Sequence, residues 1–267
     1  MTRPILLVDG DSVAYKAACA GQEAIDWGDG VSVDADMSRA VDHMSSTLDL
    51  YMDTLNASGM IVCLGNDRNW RKELWPEYKA NRRNREKPVL LKECCRYLRD
   101  NHPTESWDRL EADDVMGILA NSIKGAVIVS IDKDMRSVPC LLFNPNRPEE
   151  GVQLIDPIQA FRNHMIQTLA GDAADGYKGC PGIGPKKAGA IVDPLLPDVD
   201  GRVSAADLVL DFKESREKIW KKIMETYVTR GSTVCAARLN ARLAHILHQP
   251  KRYNRETAKL KLWQPPL

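Results

Sequence analysis

Residues 4–12 read PILLVDGDS and residues 126–135 read AVIVSIDKDM. Each is a short apolar run that stops on an aspartate, and such a run reads as a buried strand. Met60–Leu64 is another. Between them lie stretches of helical character at Asp11–Ala20, Asp36–Leu55, Pro88–Asn101, Glu111–Ser122 and Pro157–Leu169. Asp11 or Ser12 is the expected cap of the first, and proline opens the last. Short strands are expected at Cys140–Phe143 and Gln153–Ile155, and turns or loops at Trp27–Gly30 and Pro194–Arg202. This alternation predicts an α/β fold with a mostly parallel central sheet flanked by helices. Function in such sheets gathers at the carboxyl ends of strands. Asp9 and Asp132 both fall there. After Gly171 the chain turns glycine-rich, then helical, basic and strand-poor, which places a loose boundary near residue 165.

The acidic residues recur in clusters at such ends. They are Asp9 and Asp11 in DGD, Glu111, Asp113 and Asp114 in EADD, Asp132 and Asp134 in IDKD, and Asp172 and Asp175 in GDAAD. Each cluster alone reads as helix capping or a turn. Converging in one domain, they would repel: a like-charge pair at ~4 Å costs about 4 kcal/mol at an effective dielectric of ~20. A fold that collects them needs a cation, and an all-oxygen ligand set suits Mg²⁺ or Mn²⁺. Such a site suits two-metal displacement at phosphorus, where both the attacking and the leaving oxygen are stabilised.

Lysine plus arginine number 37, balancing 37 aspartates and glutamates, and hydrophobic residues make up 43%. This is globular composition with ample core in 267 residues. A neutral chain usually argues against a polyanionic partner. Here the signs are segregated, so bases remain free to meet phosphate. The seven cysteines show no zinc spacing and read as free thiols of a reducing compartment. The histidines His43, His102, His164, His245 and His248 read as structural or surface groups, although His245 and His248 could share a helix face. No signal peptide or membrane span is evident, so a cytoplasmic protein is expected.

Residues 67–87 are charged and aromatic, without core periodicity. Arg71, Lys72, Lys79, Arg82, Arg83, Arg85 and Lys87 are interleaved with Trp70, Trp75 and Tyr78. Bases contact phosphates and aromatics stack on nucleobases, although a solvated charged surface with its aromatics partly in the core reads the same way. Residues 179–192, GCPGIGPKKAGAIV, have an apolar residue between glycines and then a helix with lysines in its first turn. Gly182 and Gly184 let a strand approach the backbone, and the helix start with Lys186 and Lys187 suits a phosphate.

In their order, DGDS, WRKELWPEYKANR, EADDVMG, SIDKDM and GDAADGYKGCPGIGPKKA resemble the 5′-3′ exonuclease and flap endonuclease family. That family includes the nuclease domains of bacterial DNA polymerase I and stand-alone phage exonucleases, and the likeness is greatest to those of short-tailed phages. It runs from Asp9 to about Ala190. The resemblance implies a PIN-like nuclease core over 1–165 with a basic arch segment near 67–90. It implies a helix–hairpin–helix DNA-binding and helical region over 166–267, packed on the core. Asp9, Glu111, Asp113 and Asp114 would form a first metal group, and Asp132, Asp134, Asp172 and Asp175 a second. Two Mg²⁺ ions are implied, with Mn²⁺ able to substitute, and a K⁺ ion at the hairpin. Lys79 and Arg82 would contact the scissile phosphate, and Arg71, Arg83, Gly182, Gly184, Lys186 and Lys187 would hold DNA. The implied activity is hydrolysis from 5′ ends of DNA, or of RNA in hybrids, by a monomer, leaving 5′-phosphates, in phage primer removal, replication and recombination. The family has one more first-metal aspartate after its second strand. Here that run is CLGND, so Asn66 or Asp67 holds the place, with Asp67 preferred. The arch is also short, with few residues between YKANR and Pro88.

Other classes share parts of this pattern. Haloacid-dehalogenase-type phosphatases also open on an apolar run and DxD, but EADD and YKANR would then have no role. A PIN-type ribonuclease shares the core and normally lacks the hairpin. A DNA-binding protein with a spent site would have lost carboxylates that are present here.

Overall fold

The strand β1 (Ile5–Asp9) alternates its side chains across a sheet covered on both faces, with Leu6 and Val8 on one side and Leu7 on the other. A computed structural model describes residues 3–26, 31–83, 86–197 and 205–266. The expected turn at Trp27–Gly30, Arg85 and part of the expected loop at Pro194–Arg202 lie outside them. The N-cap of α1 (Gly10–Ala20) is Asp9, which accepts from Ser12 N at 3.0 Å, rather than Asp11 or Ser12. A hairpin follows, β2 (Gln22–Asp26) and β3 (Val31–Ala35), which the sequence reading did not include. Then come α2 (Met37–Thr54), β4 (Gly59–Cys63), α3 (Trp70–Leu74), α4 (Leu91–Asn101), β5 (Thr104–Glu105), α5 (Ala112–Ala120) and β6 (Val127–Val129). β7 (Cys140–Phe143) and β8 (Val152–Ile155) complete the sheet. Its order is β5-β4-β1-β6-β7-β8, parallel except for β8.

The α/β architecture with a mostly parallel sheet is therefore as read. Because β4 and β6 flank β1, their carboxyl ends open side by side, where a parallel sheet gathers its functional groups. Helices α1, α2 and α4 cover one face around Leu6, Val8, Met44, Val62 and Leu98. Helix α5 covers the other through Val115, Met116 and Leu119. Each fully buried leucine among these contributes about 1.5–3 kcal/mol.

The remaining helices are α6 (Pro157–Ala170), α7 (Pro185–Val192), α8 (Ala205–Thr229) and α9 (Val234–Ala244). They enclose a second core around Met165, Leu169, Trp220, Ile223 and Tyr227. The boundary expected near residue 165 falls inside α6, which packs on the core turn at Lys133–Ser137 and on α7 and α9 together. The chain then returns: Ile246, Leu247 and Tyr253 are buried in the core beneath α5, and Tyr253 stacks on Trp107 at 5.7 Å. In residues 67–87 Trp70 and Tyr78 are in the core, as one of the two readings had the aromatics, and Arg71 is buried with them.

Histidines meet where the helical region joins the core. Helix α9 ends at Ala244, so His245 and His248 are not on a helix. Their rings lie 5.3 Å apart, and His245 is 5.1 Å from His164. His164 Nε2 lies 2.7 Å from Ala241 O, and Trp263 packs against the ring. Burial pushes His164 down to about 4, holds His245 well below its ordinary value and lowers His248. Arg216, Arg252 and Arg71 face the cluster and act in the same direction. An unfolded histidine takes its proton near 6.5. The stability held in neutral rings is therefore present above that pH and is lost as pH falls towards the folded value. For His164 the loss is on the order of 2 kcal/mol by pH 5. Buried carboxylates with raised pKa act with the opposite sign, so the measurement is a difference. His164→Gln should narrow the gap in melting temperature between pH 7 and pH 5, and an unchanged gap would count against the assignment.

Candidate active site

The cleft lies over the ends of β1, β4 and β6. Ser130 Oγ donates to Asp9 Oδ2 at 3.2 Å and accepts from Asp132 N at 3.1 Å, a link between two strand ends that the sequence did not signal. Glu111 stands at the N-cap of α5 and Asp113 in its first turn, at the positive end of the helix. Burial raises Asp9 and Asp113, and repulsion adds to it: Asp113 faces Asp132, Asp9 and Glu111. Among the described residues none of Asp9, Asp113 and Asp132 has an ion-pair partner. Among the described residues these carboxylates do not close into a group of three or more that could hold a metal ion.

Asp132 was assigned to the second group by the resemblance. Its charge acts on Asp9 and Asp113 as well as on Asp134, so it stands between the groups. Asp134 accepts from Gln167 Nε2 at 2.7 Å and is pushed up to about 7, by burial first and then by Asp132. Asp172 is buried. Its Oδ1 accepts from Ala174 N at 2.7 Å and its Oδ2 lies 3.2 Å from Lys133 Nζ, and these contacts outweigh burial to lower its pKa.

The basic segment is clipped onto this second group. Lys79 N donates to Asp175 O at 2.8 Å, Asn81 Nδ2 to Ala173 O at 3.0 Å, and Arg82 Nε to Ala174 O at 3.0 Å. Arg82 Nη2 reaches Asp175 Oδ1 at 2.7 Å, and the Tyr78 hydroxyl is 2.7 Å from Asp175 Oδ2. Lys79 has φ +56°, a left-handed conformation costing on the order of 1–2 kcal/mol outside glycine. It aims Nζ to 2.5 Å from Glu111 Oε1 and 3.7 Å from Asp175 Oδ1. Burial alone would raise Glu111, but Arg71 and Lys79 hold it down at about 2. Lys79 is thus a built-in countercharge between the two acidic groups.

Three assignments change. Asp114 is fully buried and points away from the cleft: Arg71 bonds both its oxygens at 2.7 and 2.9 Å, and Trp70 Nε1 and Leu247 N also donate to it. Arg71 cannot hold DNA, because it is 2% exposed and also bonds Glu111 and the carbonyls of Leu243 and His245. Asp67 is exposed and makes no side-chain hydrogen bond among the described residues, while Asn66 turns its Oδ1 onto Arg68 N. The acid that does reach the end of β4 is Asp11. Its Oδ2 accepts from Gly65 N at 3.0 Å, and a Cβ at position 65 would meet that oxygen at 2.8 Å. Burial, then Asp9, push Asp11 up to about 6. Glycine at 65 is the signal that could have identified it.

Beyond the acids, the loop 171–184 joins α6 to α7. Gly171 and Gly179 both have positive φ, and a Cβ on Gly179 would sit 2.3 Å from Gly171 N, so the loop crosses itself backbone to backbone. Gly184 caps α7 without a side-chain bond, leaving first-turn amides open. Lys186 is exposed there, as is Lys187, whose Nζ lies 3.2 Å from Gly182 O; Arg83 is exposed as well.

Residues 4–165 match the family described as "5′-3′ exonuclease, N-terminal resolvase-like domain". The chain is 28% identical to the exodeoxyribonuclease of Enterobacteria phage T3 and 27% identical to the exonuclease of Escherichia phage T7, covering 98% of this chain and 93% of each relative. It is 34% identical to the flap endonuclease Xni of Shewanella piezotolerans over 48% of this chain and 55% of that one. In fold it resembles the bacteriophage T5 D15 flap endonuclease in a complex with DNA and metal ions, with a TM-score of 0.53 and 16% identity over 92% of this chain and all of that one. A sheet whose parallel strand ends gather these carboxylates, matched over residues 4–165, identifies the chain as a member of the 5′-3′ exonuclease family.

Proposed function

We propose that this protein hydrolyses phosphodiester bonds of DNA from 5′ ends, and of RNA in RNA–DNA hybrids, with two divalent ions, Mg²⁺ in the cell and Mn²⁺ as substitute. The observation that carries the reading is the group Asp9, Asp113 and Asp132 at the mouth of the sheet, whose like charges act on one another. Oxygen-only donors of this kind fit a hard divalent ion. Asp9, Asp11, Glu111, Asp113 and Asp132 would hold one ion, and Asp132, Asp134, Asp172 and Asp175 the other. When bound, such ions supply a nucleophilic water at neutral pH and charge for the leaving oxygen.

The chain's own groups do the rest. Lys79 leaves Glu111 and turns its ammonium to the scissile phosphate, where it stabilises the charge that builds during attack. Arg82, released from Asp175, holds the same phosphate in line, and Arg83 follows the strand. The hairpin at Gly182 and Gly184 holds duplex backbone at the open start of α7, and its backbone carbonyls would hold a K⁺ ion there. The 3′-oxygen leaves, so products carry 5′-phosphates. Core and hairpin are thus a cutting half and a holding half of one monomer. No described helix is long and apolar enough to cross a membrane. We place the protein in the cytoplasm of a phage-infected cell, in primer removal, replication and recombination.

The test is cleavage of 5′-labelled and 3′-labelled duplex, flap and hybrid substrates in Mg²⁺. Mononucleotides from the 5′ label indicate an exonuclease and a released oligonucleotide indicates flap cleavage. Degradation from 3′ ends, or none at all, would refute the reading. Lys186→Ala with Lys187→Ala should weaken duplex binding and make its salt dependence shallower by a slope of about 1–2; an unchanged slope removes the hairpin's role. Asp11→Asn should weaken Mg²⁺ binding about tenfold by calorimetry, the loss of one charged contact. Asp67→Asn should leave it alone, and the reverse result would restore Asp67.

A further inference from the structure

Beside Asp132, on the side away from α1, a pocket of about 260 Å³ opens between the ends of β6, β7 and β8. Leu142 lines it on β7, and Asn144 and Gln153 add amides. Arg136 and Arg147 line it with one carboxylate, Asp132, and with Lys133, whose Nζ is held by Asp172 at 3.2 Å. The reaction described above uses neither arginine. Both rest on Glu150, just outside the lining: Arg136 Nη2 at 3.4 Å and Arg147 Nη1 at 3.1 Å, with Gln153 Nε2 at 2.9 Å on the same carboxylate. These are single, partly exposed contacts rather than bidentate forks, so each guanidinium keeps N–H donors to spare. A carboxylate that draws two arginines and an amide to one rim holds the place of an anion. Two guanidinium groups with amides and an apolar wall suit a phosphate monoester carried on a nucleoside.

We propose that this pocket binds a 5′-nucleotide through its phosphate monoester. Resting on the nuclease reading, this makes the pocket the place where the cut strand's 5′ terminus is recognised. The released mononucleotide offers the same chemistry.

Two measurements separate these sources. The first compares kcat/KM in Mg²⁺ on matched duplexes with 5′-phosphate and 5′-hydroxyl ends. The second measures inhibition and calorimetric binding by a deoxynucleoside 5′-monophosphate. Wild type should favour the phosphorylated end about tenfold or more through KM, the worth of one charge-assisted contact. Arg136→Ala with Arg147→Ala should bring that ratio near one while leaving 5′-hydroxyl cleavage unchanged. Glu150→Gln, which frees both arginines, should raise it. Monophosphate binding lost in the double variant, with no end preference in wild type, assigns the pocket to the released nucleotide. Equal cleavage of both ends together with monophosphate binding unchanged by these substitutions overturns the proposal. Failure of wild type to cut either duplex defeats the nuclease reading instead, and the binding arm still tests the pocket.

Discussion

Asp132→Asn should lower phosphodiester cleavage about a thousandfold or more in saturating Mg²⁺ while duplex binding is largely retained. Removing one ligand charge from an ion that stabilises both reacting oxygens forfeits several kcal/mol of transition-state stabilisation, and about 4 kcal/mol is a thousandfold. The same substitution has a second readout. Asp132 repels Asp9, Asp113 and Asp134. Asparagine keeps the oxygen that accepts from Asp134 N at 2.8 Å, so the turn survives and the repulsion goes. In chelator the variant should therefore melt above wild type by a few degrees, since 1 kcal/mol moves a protein of this size by roughly 2–4 °C. Near-wild-type cleavage would sink the assignment of Asp132. A lower melting temperature in chelator would mean that repulsion is not what the metal-free site stores.

The second large effect is on folding. Arg71→Ala should destabilise the protein by about 3–5 kcal/mol, because it leaves the Asp114 carboxylate buried and uncompensated. That corresponds to a fall in melting temperature of roughly 6–20 °C. It also releases the carbonyls of Leu243 and His245, which Arg71 bonds at 3.0 and 2.7 Å. Arg71→Met combined with Asp114→Leu should recover only part of the loss: it removes the uncompensated charge but leaves Trp70 Nε1, Leu247 N and the carbonyls of Leu243 and His245 without these partners. Were Arg71 a DNA contact, its loss would weaken binding and flatten the salt dependence with no change in melting temperature. The two outcomes do not overlap.

These cases show what the sequence could carry. The places of Asp9 and Asp132 were legible because an apolar run ending in an aspartate fixes both the strand and the end of the strand on which the acid sits, and that of Asp113 because acids open a helix. Lys79 and Arg82 were singled out by resemblance, and nothing local says that φ at Lys79 is positive or that YKANR folds down onto GDAAD. Arg71 and Asp114 were misread for one reason. Each lies in a charged run, and composition cannot tell an ion that faces solvent from one that meets its partner 43 positions away. Asp11 was visible as a letter but not as a ligand, since its place depends on Gly65 leaving room at the end of another strand. The hairpin of β2 and β3 stands outside the main sheet, so the rhythm of buried strands does not reach it. The histidine cluster joins His164 to residues some eighty positions later, a pairing that no window along the chain contains.

The hydrogen bond from Leu247 N to Asp114, at 2.9 Å, has a consequence in time. The acidic helix that carries Glu111 and Asp113 is locked by a segment translated more than 130 residues later. Contacts of such separation form late and slowly. A nascent chain can therefore build its sheet on the ribosome while the Arg71–Asp114 lock still lacks its last partners. Until synthesis has passed residue 247, the helix that carries Glu111 and Asp113 lacks one of the donors that hold Asp114.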